Sequence, residues 1–210
     1  MSSQDPRRSV KIGSDERTGW SSERPRKEGE APRQANIAVR CRVLAPTDRM
    51  RYSPGSLLQV VSAIDSSPFA ERVVEERGAV LSLTKIRKLL DGRVAAEQLE
   101  QRAHELLDAA VLKRLGENQS VVVALETLDA EQRERYVRAA HGLRRPRHLI
   151  LLEPPRNQVP DDQHTALNEL RRALDAGEIG SEGFQTAMRL SGNAAGELKR
   201  IVFQPPPSDD

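Results

Sequence analysis

From residue 56 onward, short runs of Val, Ile, Leu and Ala alternate with longer amphipathic stretches, and few architectures accommodate that rhythm. The run 56–63 (SLLQVVSA) is bounded and largely apolar, as a strand buried on both faces requires. AVLSL (79–83), VVVAL (121–125), HLILLE (148–153) and LKRIVF (198–203) repeat the pattern. Between the runs, Ser67 followed by Pro68 reads as an N-cap with Pro at the first helical position. Phe69, Arg72, Val73 and Glu76 follow at helical spacing up to Gly78. Further helices are expected over 84–91, over 94–115, over 129–141 with Asp129 as cap, over 161–176 with a stop at Gly177, and over 182–190. The longest of them carries an apolar stripe through Leu99, Ala103, Leu106, Leu107, Ala110, Val111 and Leu115. Strands of this kind joined by helices form a parallel sheet that must be covered on both sides. The expected fold class is therefore α/β, a three-layer α/β/α sandwich with a mostly parallel sheet.

Upstream of this region the texture changes. Ile37, Val39, Cys41 and Val43 alternate with Ala38, Arg40 and Arg42, the period of a half-buried strand. Pro46 and the SPG at 53–55 then punctuate the chain. Residues 1–35 hold only six apolar or aromatic side chains, too few to offset the entropy of ordering them. The expected organisation is a disordered basic tail over 1–35, an α/β domain over 36–204 and a Pro-rich disordered tail over 205–210. Residues 1–55 carry 12 Lys/Arg against 7 Asp/Glu, whereas 56–210 carry 21 against 24, so a basic arm precedes a mildly acidic body. The single cysteine, Cys41, excludes an intramolecular disulfide framework and a Cys-based zinc cage. No run approaches the ~18 apolar residues of a membrane span. The first residues lack the apolar region of a secretory signal, which makes a cytoplasmic setting the expectation.

In a doubly wound sheet, ligands bind beyond the carboxyl ends of the strands, which directs attention to 61–67, 82–87, 124–128 and 153–158. The runs GSLLQVVSAIDSSPFAERV, GAVLSLTKIRKLLDG, SVVVALETLDAEQRERYVRAA and PRHLILLE resemble, in order, the framework of a P-loop kinase. The group they are most similar to is the polynucleotide-kinase-like and zeta-toxin-like set of small AAA-type ATP-binding kinases. The resemblance extends over about 56–203 and implies a P-loop NTPase-like sandwich.

It also implies where chemistry should lie. After the first core strand, such kinases carry G-x-x-x-x-G-K-[ST]. Its backbone N–H groups wrap the phosphates, its Lys reaches the β/γ-phosphates and its Ser/Thr holds Mg²⁺. The corresponding stretch here is SAIDSSPFAER, with no glycine between Gly55 and Gly78 and no lysine between Lys27 and Lys85. The loop is about two residues shorter than the family motif. What remains of a phosphate loop is Ser62, Asp65, Ser66 and Ser67, with Lys85 as a substitute cation. Asp65 opposes a triphosphate by about 3 kcal/mol per charge pair at ~5 Å and an effective dielectric near ~20. The family's D-x-x-R, in which Asp serves as base, corresponds to Thr84-Lys85-Ile86-Arg87. Arg87 survives, but the Thr84 hydroxyl is no base near neutral pH. The carboxylate that closes the family's third strand and supports Mg²⁺ is replaced by Ala124, with Glu126 two positions on. The resemblance also places a motif arginine at Arg133 and lid arginines at Arg171, Arg172 and Arg189.

Each of these residues has a plainer reading. Arg87 pairs with Asp91 at i, i+4, and Arg133 shares a solvated helix face with Glu131, Glu134 and Arg135. The lid arginines become surface charges. His104 is structural, His148 opens a strand without an obvious acidic partner, and no two histidines have metal-ligand spacing, so no metal is expected. The cluster Arg144-Arg145-Pro146-Arg147 belongs to an exposed turn. With the phosphate cradle, base and metal carboxylate all lost, the leading expectation is a pseudokinase. It would act as a binding or regulatory module for an unknown protein or a phosphorylated ligand, without a cofactor. The alternatives are an active kinase of nucleic-acid ends or small-molecule hydroxyls, using ATP/Mg²⁺ with Lys85, Arg87 and Glu126, and a weak nucleic-acid contact through the basic tail.

Overall fold

The computed structural model of the protein describes residues 38–205. The tails over 1–35 and 206–210, and Ile37 of the first expected strand, lie outside the described residues. Eight strands are formed: β1 (Arg42–Leu44), β2 (Arg49–Tyr52), β3 (Leu57–Val61), β4 (Val80–Ser82), β5 (Val121–Leu125), β6 (Arg147–Glu153), β7 (Thr186–Ser191) and β8 (Arg200–Phe203). Six helices accompany them: α1 (Ser67–Val73), α2 (Leu83–Leu90), α3 (Ala96–Gly116), α4 (Ala130–Gly142), α5 (His164–Asp175) and α6 (Asn193–Glu197).

Six strands make one parallel sheet in the order β1-β7-β6-β3-β5-β4. This is the α/β sandwich expected from the alternation. Strand β3 sits between β5 and β6, and all five of its residues are buried, which is why this run lacks a polar face. Its side chains point alternately into two cores. Leu57 and Val61 join the one filled by α3, α4 and α5 through Leu107, Val111, Leu115, Val137, Leu167 and Leu174. Leu58 and Val60 join the other, with Phe69, Ala70 and Val73 of α1.

The second outer layer is not purely helical. Strands β2 and β8 pair in parallel as a separate two-stranded sheet, and Met50, Tyr52 and Ile201 pack with α1 into the second core. Three expectations are corrected here. The stretch 182–190 is not a helix: a 3₁₀ turn (Glu178–Glu182) ends at Gly183 with φ of 100°, and β7 follows. Its Ala187, Met188 and Leu190 are buried on both faces, so no helical stripe was present to be used. The last strand does not extend the main sheet: β8 pairs with β2, and its Ile201 makes one isolated bridge to Val74. Ser67 is not the cap of α1 but its first residue, with Ser66 as N-cap and Pro68 in the first turn.

Candidate functional site

The chain leaves β3 towards β4 on one side and later crosses from β5 to β6 on the other. The strand order thus reverses around β3, and the carboxyl edge there is where a doubly wound sheet opens a crevice. The bend at 62–66 occupies it. Ser62 and Ser66 are fully buried and Ser67 nearly so, while Asp65 is exposed. The Ser62 amide donates to the Leu125 carbonyl at 3.3 Å. The Ser66 hydroxyl has the carbonyls of Val60 and Leu125 within 3.0 and 3.2 Å and can donate to only one at a time. The Asp65 carboxylate accepts from both the Ser67 amide, at 2.9 Å, and the Ser67 hydroxyl. Donors that an anion would need at the start of α1 are therefore held by the chain's own carboxylate. The serines of the bend are buried and its one charge, on Asp65, is negative.

Helix α2 begins beside it. The Ser82 hydroxyl accepts from the Lys85 amide at 3.2 Å and caps the helix, which places half-buried Thr84 in its first turn. The Lys85 ammonium lies 3.7 Å from Glu71 of α1, on the surface rather than over the bend. Arg87 does not pair with Asp91. Its guanidinium grips Glu100 of α3 through Nε and Nη2, at 2.8 and 2.9 Å, and Nη1 reaches Glu126 at 2.5 Å. The hydrogen bonds to Glu100 and Glu126 push the Arg87 guanidinium up, and Arg87 in turn holds the Glu100 carboxyl below its ordinary value. Arg87 and Glu126 are thus brought together, one residue beyond β5, while Ala124 packs into the core with Phe69 and Val60.

Arg133 is not on a solvated face. It is 4% exposed, its Nε and Nη2 form a two-point pair with Glu182 at 2.8 and 2.6 Å, and Nη1 donates to the Leu128 carbonyl at 2.5 Å. The amide of Gln59, in the middle of β3, donates to the Arg133 carbonyl at 2.9 Å. Local spacing carries no signal for this, since the partner is 49 positions away. Arg171 and Arg189 converge on buried Glu153 at the carboxyl end of β6. Arg171 Nε and Nη2 lie 2.8 and 3.0 Å from its oxygens, and Arg189 Nε lies at 2.5 Å. Burial pushes the Glu153 carboxyl up, yet hydrogen bonds and charge from the two arginines outweigh it and hold it below its ordinary value. Arg172 is exposed.

The basic cluster at 144–147 is dispersed rather than displayed. Arg147 is buried, donating to the carbonyls of Gly183 and Arg145 at 2.8 and 3.0 Å, and burial pulls its guanidinium down. Arg145 donates to the Leu115 carbonyl at 3.0 Å, and only Arg144 is fully solvent-facing. His148 packs its ring 4.5 Å from that of Tyr52 and lies 2.8 Å from the Thr186 hydroxyl. Burial and neighbouring Arg147 pull it down to about 4. Among the described residues no group of three metal-ligating side chains gathers, and no helix is long and apolar enough to cross a membrane. Sequence reasoning missed a cleft of about 390 Å³ beyond β6, where Arg156 and His164 lie. The loop 153–158 supplies Pro154 and Arg156, whereas the facing wall of His164, Leu167, Asn168 and Arg171 comes from α5.

No family model matches the chain, and no curated protein matches it. Among solved structures, the Deinococcus radiodurans tunicamycin resistance protein is similar at 17% identity and a TM-score of 0.36, over 72% of this chain and 99% of that one. A likeness that remote carries no argument about site or activity.

Proposed function

We propose that the protein is a pseudokinase: a P-loop-kinase-like scaffold that binds a partner or a phosphorylated ligand without turning over ATP. The observation that carries this reading is the Asp65 carboxylate on the amide and hydroxyl of Ser67, beside a Ser66 hydroxyl committed to main-chain carbonyls. Phosphoryl transfer relies almost entirely on positioning and charge stabilisation. A bend that is self-capped and carries a carboxylate supplies neither. A cytoplasmic setting belongs to the same reading. Incubation with Mg-ATP and oligonucleotide or nucleoside acceptors is expected to yield no phosphorylated product. Turnover that disappears in Arg87→Ala would overturn the proposal.

One observation favours an active kinase instead, the contact between Arg87 and Glu126 at the carboxyl edge. Against it, Arg87 spends three of its N–H bonds on carboxylates, and Lys85 is paired with Glu71. Contact with nucleic acid through the basic arm is a separate matter outside the described residues. Salt-dependent retention of DNA or RNA, lost on deleting 1–35, is its test.

A further inference from the structure

The loop after β6 and one face of α5 enclose the 390 Å³ cleft, which shares no residue with the bend after β3. Its floor is apolar, since Leu167 and Val159 are buried there beside Pro154. Its rim is basic, with Arg156, His164 and Arg171, and none of the lining residues is acidic. Positions 164, 167, 168 and 171 recur at helical spacing, so α5 presents them together. Arg171 is fixed from behind by Glu153 through Nε and Nη2, while Nη1 donates to the Asn168 side-chain oxygen at 3.0 Å. A guanidinium has five N–H bonds, so Arg171 keeps two for a ligand. Arg156 is exposed and, among the described residues, has no ion pair or side-chain hydrogen bond. Arg87, Arg133, Arg171 and Arg189 each have a carboxylate, so Arg156 stands apart as an uncommitted fork in a concave site. Asp161, 3.9 Å from the His164 ring, is itself fully in solvent.

We propose that this cleft binds a small phosphate monoester with an apolar body. Arg156 and Arg171 grip the phosphate, and Leu167, Val159 and Pro154 receive the body. Small-molecule sites span roughly 300–1,000 Å³, so the volume suits a compact ligand and not a polymer. A phosphate has three terminal oxygens to meet the open fork of Arg156 and the remaining donors of Arg171, where a carboxylate has two. The assignment rests on the reading of the chain as a binding module and supplies its ligand class.

The test is calorimetric and thermal-shift titration of the full chain with phenyl phosphate, benzoate and inorganic phosphate. Phenyl phosphate is expected to bind saturably and raise the melting temperature, more tightly than either of the other probes. Arg156→Ala, at an exposed and unpaired position, is expected to leave the unliganded melting temperature unchanged and weaken phenyl phosphate about tenfold or more. Asp65→Ala is expected to leave that affinity unchanged. Absence of saturable binding, benzoate binding more tightly, or an affinity indifferent to Arg156→Ala would each overturn the proposal. A flat response here leaves the closed bend standing, whereas Mg-ATP turnover strikes at the pseudokinase reading itself.

Discussion

Two segments leave the carboxyl edge of the sheet from neighbouring central strands, one after β3 and one after β6, and the chain treats them oppositely. After β3 the bend turns every serine inward and caps itself with Asp65. After β6 the loop stands off from α5, leaves a cleft, and keeps Arg156 uncommitted above an apolar floor. The backbone architecture offers both positions to a ligand equally. Side-chain commitments decide between them, since a donor already paired with a carboxylate has little left to give an incoming anion.

The comparison can be broken at its supports. Beside β3, Arg133→Ala would strand Glu182 and free the Leu128 carbonyl. Breaking a buried pair of this kind costs about 3 kcal/mol or more, read by urea unfolding at neutral pH. A loss below about 1 kcal/mol would show that the pair behaves as a solvated one. Strand β6 gives an internal contrast in acid. At its start, His148 stays neutral in the fold down to about 4, while the unfolded chain takes up the proton near 6.5. Stability is therefore lost as pH falls from about 6.5 to about 4, by on the order of 3 kcal/mol, and His148→Phe should flatten that window. At its end, Glu153 has a depressed folded value, so its contribution is present above the ordinary carboxylate range and lost as pH falls below it. Glu153→Gln should cost about 2 kcal/mol at neutral pH, discounted because both arginines are partly solvated, and should remove that lower window only. Asp65→Ala is the mildest change. Loss of a helix-start acceptor costs about 1 kcal/mol and should bring no ATP binding, because Ser66 stays turned inward.

The strands legible in sequence were those written as near-unbroken runs of Val, Ile and Leu. VVVAL matches β5 residue for residue, because a fully buried parallel strand must read as an unbroken apolar run. RMRY of β2 was not legible: its arginines alternate with Met50 and Tyr52, and the partner that makes it a strand lies about 150 residues away. TAMRLS of β7 mixes residues at home in a helix, and only its place between β1 and β6 makes it extended. For the site, the absence of glycine between Gly55 and Gly78 and of lysine between Lys27 and Lys85 was plain in the sequence, and Arg87 and Glu126, expected near one strand end, are in contact. What local spacing could not supply was long-range pairing: Arg133 with Glu182, Arg87 with Glu100, and Glu153 with two arginines of different elements. Those pairs arise from tertiary topology, which carries no period for a reader of the chain to detect.

The most direct measurement is a calorimetric titration of Mg-ATP into the full chain. A self-capped bend after β3 predicts no saturable heat and an unchanged melting temperature. Saturable, Mg²⁺-dependent binding with one nucleotide per chain would contradict it.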